Sequence, residues 1–300
     1  MLKQRYFKVG FTVCVHRLNL VFEEAGEHRG GLVDTVSTDI RDARPSTLLN
    51  TDLPSVIEHE IPAFLADQDL ENTDTSLPSF TPRLSAPDTV YAVFVGTNDL
   101  GNLAFLTDSQ SPGKVLRDYT SCIYNALDHL YAAGGRNFIL MNTVPLHLAP
   151  QYANETLHGA NSTRYYPDKA ADLTMISERM HEETTSVNEI FKYRTPYEML
   201  LSRRYAGAHL ALFDTWRLFS DIYDDPAAYL NGSEPLTVEG WEHHCNSNNE
   251  ECSYLYNNTS PDSFMWLDEL HPSEQVHRIL ARSIVATMNG SSEYATYWSG

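Results

Sequence analysis

With 300 residues, 42% of them hydrophobic and 11% aromatic, the chain has enough apolar material to bury a full core in one large domain. Lys plus Arg number 21 against 40 Asp plus Glu, and the formal net charge of -19 repels phosphate backbones and anionic headgroups, so nucleic acid and membrane are not expected as partners. No apolar run reaches the roughly 18 to 20 residues of a membrane span, and no linker or repeat divides the chain, so residues 1–300 read as a single domain.

At the amino end, Lys3, Arg5 and Lys8 precede a short apolar run, Val9 to Val15, without a small-residue cleavage site. Residues 1–53 are expected to be atypical: either this is an unusual signal, or the natural start lies further upstream. Pro54 to Asp67 then predicts a short helix begun by proline, and Thr89 to Val95 is a buried, β-rich run. Val115 to Ala133 carries Leu116, Tyr119, Ile123, Leu127 and Leu130 at helical spacing, and Gly134-Gly135 ends it. Asn137 to Val144 is the next strand, stopped by Pro145. A long polar helix with Ile176, Met180, Val187 and Ile190 on one face runs to about Arg194, before Pro196. Ala208 to Phe213 is a third strand. The last helix is placed from Pro272, with Val276, Ile279, Leu280, Ile284 and Met288 on one stripe and Asn289-Gly290 as its stop.

Strands alternating with helices predict an α/β fold, a parallel sheet sandwiched by helices. In such sheets ligands bind beyond the carboxyl ends of the strands, which directs attention to the loops after Val95, Val144 and Phe213.

Asn154, Asn161, Asn231, Asn257, Asn258 and Asn289 each begin a glycosylation sequon, and together they point to a secreted protein. Cys245 and Cys252 bracket the polar run Asn246 to Glu251 and are expected to form a disulfide; Cys14 and Cys122 remain, with their pairing open. His243 and His244 beside Cys245 offer a metal-site alternative, but no second Cys or His pair accompanies them, so no metal is expected.

Two segments carry chemistry. Gly96-Thr97-Asn98-Asp99 follows a strand directly, so the Asn98 amide stands at the sheet's carboxyl edge, able to donate to an oxyanion; an ordinary turn is the alternative. In Asp268-Glu269-Leu270-His271-Pro272, the proline leaves His271 outside the helix, and Asp268 can fold back to orient the imidazole as a general base; helix capping is the alternative. No Gly-x-Ser-x-Gly elbow, His-Glu-x-x-His helix or phosphate-cradling glycine loop replaces this chemistry with another.

In this order the two segments resemble blocks III and V of the SGNH/GDSL hydrolases. Tyr91 to Asp99, Phe138 to Pro145, Phe191 to Tyr197 and Trp266 to Gln275 extend the likeness, and the chain is similar to fungal carbohydrate esterase family 16 over 54–290. The resemblance implies a three-layer α/β/α sandwich with a flavodoxin-like sheet, its first strand lost or altered. It also implies a secreted, monomeric carboxylic ester hydrolase that deacetylates small acylated carbohydrates without a cofactor. It makes His271 the base, Asp268 its orienting carboxylate, Asn98 an oxyanion donor, Gly96 a point of close backbone approach and Trp266 either a sugar-facing ring or a core aromatic.

The family opens with Gly-Asp-Ser on its first strand, and that tripeptide occurs nowhere here, so the nucleophile is unassigned. Ser37, Ser46 and Ser55 precede the match, but none follows a recognisable strand. Gly31, in Gly30-Gly31, stands where the family supplies a backbone oxyanion donor, with a surface turn as the alternative. The gap leaves two further readings, a glycan-binding relative without turnover and a truncated, nonfunctional fragment.

Overall fold

The computed structural model describes residues 55–66, 89–245, 252–254 and 260–300. The expected helix over 54–67 is present where described: Val56–Glu60 is helical and continues through 61–66. Ser55 is its cap, since its Oγ accepts the Glu58 N–H at 3.0 Å and donates to the Glu58 carboxylate at 3.1 Å. Gly31, Ser37, Ser46, Cys14, Asn257 and Asn258 lie outside the described residues.

The apolar runs become short strands joined by helices. In chain order these are β1 (Val90–Val93), α1 (Thr97–Leu100), α2 (Leu116–Ala132), β2 (Asn137–Met141), α3 (Leu173–Pro196), β3 (His209–Phe213), α4 (Thr215–Asp224), α5 (Pro226–Tyr229), β4 (Thr237–Trp241), β5 (His243–Cys245), β6 (Cys252–Tyr254), β7 (Phe264–Trp266), α6 (Glu274–Met288) and β8 (Ala295–Ser299). The main sheet has the order β1-β2-β3-β8. Its first three strands are parallel, with Tyr91 beside Phe138 and Phe138 beside Leu210. The result is a mixed α/β fold with a mainly parallel sheet.

Helical spacing explains why the long helices pack where they do. Tyr119, Ile123, Leu127 and Leu130 of α2 are all buried, as are Val276, Ile279, Leu280 and Ile284 of α6. They join the sheet residues Ala92, Phe138, Ile139, Leu210 and Phe213 in one apolar cluster.

Three expectations need correction. β8 runs antiparallel on the edge of the sheet, pairing Ala295 with Phe213 and Ser299 with His209, where an all-parallel sheet was expected. The long helix does not stop before Pro196. Proline removes one N–H, and the backbone absorbs the loss by passing into a wider turn over Tyr197–Leu201, closed by Ser202 N–H to Tyr197 O at 2.9 Å. Finally, the last helix begins at Glu274 rather than Pro272, because the Ser273 hydroxyl accepts the Val276 N–H at 3.2 Å and is the stronger start signal. Its end falls at Asn289, followed by Gly290 at φ +69°.

Two small sheets stand apart from the main one. β4 pairs parallel with β7, and β5 pairs antiparallel with β6, where Cys245 and Cys252 face each other and form the expected disulfide.

Candidate active site

β7 ends at Trp266, and the chain then folds back on itself. Trp266 bridges Pro272 in antiparallel fashion, and Leu267 N–H donates to His271 O at 2.8 Å. Within this turn Asp268 Oδ1 accepts the backbone N–H groups of Leu270 at 2.9 Å and His271 at 2.7 Å. Asp268 therefore caps its own turn rather than the helix, and the same closure brings its carboxylate against the imidazole. His271 Nδ1 lies 3.0 Å from both Asp268 oxygens. The Asp268 side chain is 4% exposed, whereas that of His271 is 17% exposed.

Burial opposes charge on Asp268, yet hydrogen bonds from His271, its charge, and the two backbone N–H groups outweigh burial and hold the carboxyl well below the usual range. An ionised carboxylate against Nδ1 fixes a protonated Nδ1 and turns the Nε2 lone pair to the opposite ring edge. That is the arrangement a general base requires.

Two residues that sequence reasoning missed complete the carboxylate's surroundings. Arg164 Nη2 lies 2.8 Å from Asp268 Oδ2, and the Tyr165 hydroxyl donates to the same oxygen at 2.9 Å. Burial first, and the charge of Asp268 second, push the Tyr165 phenol up, so it remains a donor. No periodicity or motif marks Arg164-Tyr165-Tyr166 within its polar loop, and only the folded chain brings it here.

Gly96 closes β1's exit at φ +138°, a region for which glycine is suited. A Cβ there would sit 2.3 Å from the Tyr119 hydroxyl, which donates to Val95 O at 2.6 Å. The close approach at Gly96 is thus made by Tyr119 of α2. Asn98, half-buried in α1, follows two residues later.

The α1 segment and the His271 loop are joined through a buried polar network. Asn102 Nδ2 donates to Tyr165 O at 2.8 Å, Asn102 Oδ1 accepts from the Tyr152 hydroxyl at 3.2 Å, and Gln151 N–H donates to Glu269 O at 2.7 Å. Thr163 closes the circuit by donating to Gln151 Oε1 at 3.0 Å.

Residues 50–284 match the family described as GDSL-like Lipase/Acylhydrolase. The chain belongs to this family. As a member it is a carboxylic ester hydrolase. It is similar to an acetylesterase of Hypocrea jecorina, 35% identical over 256 residues that cover 85% of this chain and 70% of that protein. An acetylesterase of Thermothelomyces thermophilus is 22% identical, covering 71% of this chain and 57% of the other. A thermolabile hemolysin of Vibrio parahaemolyticus is 23% identical, covering 69% of this chain and 43% of the other.

Within this GDSL hydrolase, three other sequence candidates lie away from an open site. Trp266 is fully buried; its indole N–H donates to Val238 O at 2.7 Å and its ring packs against Phe219, so it is core and offers no face to a sugar. Ser55 is also buried and engaged in capping its own helix. His243 and the sulfurs of Cys245 and Cys252 cluster closely enough to suggest a metal site, but the disulfide occupies both sulfurs and removes them as thiolate ligands. His243 and His244 instead rest on the rings of Tyr254 and Trp241, each with centroids 4.6 Å apart.

Proposed function

We propose that this GDSL hydrolase is a secreted, monomeric, single-domain acetyl esterase with the three-layer sandwich of the SGNH fold, acting on acetylated sugars. The observation that carries the reading is the Asp268–His271 pair, a buried carboxylate 3.0 Å from Nδ1 of a ring that keeps an opening to solvent. The acetylesterases among its relatives support the acetyl group as the one removed.

In this mechanism His271 Nε2 takes the proton of an attacking hydroxyl as that oxygen bonds to the acyl carbon, and the carbonyl electrons move onto oxygen. The Asn98 amide donates to that oxyanion, a contact typically worth ~3 to 4 kcal/mol in the transition state. Asp268 stays ionised and stabilises the imidazolium. His271 then gives its proton to the departing sugar oxygen; water next attacks the acyl carbon as His271 takes its proton, and that proton passes to the departing enzyme oxygen as acetate leaves.

The experiment is to incubate the purified chain with acetylated xylo-oligosaccharide and measure acetate, alongside labelling by a fluorophosphonate and peptide mapping. Acetate release, with one labelled hydroxyl whose labelling fails in H271A, is the expected result and identifies the nucleophile. Sugar binding without acetate or labelling would replace this reading with a glycan-binding protein, which the missing Gly-Asp-Ser favours.

A further inference from the structure

Asp268 is gripped by more than its histidine. Its Oδ2 takes the Arg164 guanidinium and the Tyr165 hydroxyl, while Oδ1 takes two backbone N–H groups. Arg164 is itself fixed: its guanidinium lies 4.6 Å from the Tyr165 ring centroid, Nη1 donates to Cys245 Sγ at 3.2 Å, and the side chain is 10% exposed. The Tyr165 ring in turn meets His271 edge to face at 5.3 Å. One rigid loop therefore braces both members of the pair, and it is tied to the disulfide hairpin β5–β6.

A carboxylate facing only an imidazole places its whole charge at the service of the imidazolium. Here that charge is shared with a permanent cation. We propose that Arg164 and Tyr165 are positioning residues that hold Asp268 in place and weaken its pull on the His271 proton. The imidazole then stays neutral, and competent to accept a proton, at lower pH than an unbraced Asp–His pair would allow. This inference rests on the reading of His271 as the general base.

Among the described residues, the titratable groups facing this centre include Glu269 on the same loop, whose carboxyl lies 3.9 Å from Arg164 Nε, His243 on β5 and His277 on α6, with Glu274 beyond it. Burial pushes the Glu269 carboxyl up and the two histidines down, so all three lean toward their neutral forms. Arg164 is the cation in direct contact with Asp268.

The test is the pH dependence of kcat/KM on p-nitrophenyl acetate for wild type, R164Q, R164K, Y165F and H271A, with thermal melts on each. Removing the cation strengthens imidazolium, so R164Q is expected to move the acid limb up by about one pH unit. R164K, which keeps the charge, stays near wild type. Y165F, which removes one donor and keeps the ring, moves the limb in the same direction by less. An acid limb unmoved in both R164Q and Y165F, or moved as far by R164K as by R164Q, overturns the inference. Should R164Q fail to fold, the Y165F limb decides alone. If H271A retains full turnover, the reading of the base has failed instead, and the two failures are told apart.

Discussion

The side-chain amide of Asn102 donates to the backbone carbonyl of Tyr165 at 2.8 Å, and the hydroxyl of that same tyrosine reaches Asp268. One residue thereby links the segment that follows β1 to the turn that follows β7. Because Asn102 is buried and its Oδ1 also accepts from the Tyr152 hydroxyl and the Gln151 amide, N102A takes this partner from the Tyr165 carbonyl and from both of those donors. A cost of about 2 kcal/mol is expected in denaturant unfolding, with a fall in kcat several times larger than any change in KM.

Gly96 gives a second coupling between packing and site. G96A forces a Cβ into the Tyr119 hydroxyl and an L residue into φ +138°, and a destabilisation of about 2 to 4 kcal/mol is expected. Y119F removes the nearest clashing atom, so the G96A cost measured in the Y119F background should shrink without vanishing, since the backbone strain persists. An unchanged cost would show that Tyr119 is not the obstacle.

Glu242 sets a pH dependence of stability with a definite sign. It is 4% exposed, and burial first, then the charges of Glu274 and Asp262, push its carboxyl up to about 7. A carboxyl that binds its proton more tightly folded than unfolded supports the native state most at pH below about 4.3, and that support is lost as pH rises to about 7. E242Q keeps the shape and discards the charge. It should melt higher than wild type at pH 8, by about 1 to 2 kcal/mol of stability, and close to wild type at pH 4.

Much of the frame was legible in the sequence, and the reasons differ from residue to residue. β1, β2 and β3 announce themselves because buried parallel strands are continuous apolar runs, and α2 and α6 because their apolar residues recur every three or four positions. The start of α6 was misplaced because Pro272 and Ser273 are both start signals, and the cap that satisfies an N–H wins over the residue that merely lacks one. β4 and β7 were missed since one is half-buried throughout and the other is three residues long.

At the site, Asp268 and His271 were legible because their spacing alone lets one turn join them. Arg164, Tyr165, Asn102 and Gln151 were not, because their partnership is a product of the fold, with a separation of 104 residues between Arg164 and Asp268. For Trp266 the sequence left a sugar-facing ring and a core aromatic both open, and the fold selects the core, since all three residues of β7 are buried.

The proposed mechanism depends on proton transfer to the ring at position 271, and the most direct measurement is steady-state hydrolysis of p-nitrophenyl acetate by H271A, with circular dichroism to establish that it is folded. A loss of ~10²- to 10⁴-fold in kcat, with native ellipticity, is the result predicted. A folded H271A that turns over ester at the wild-type rate would contradict it.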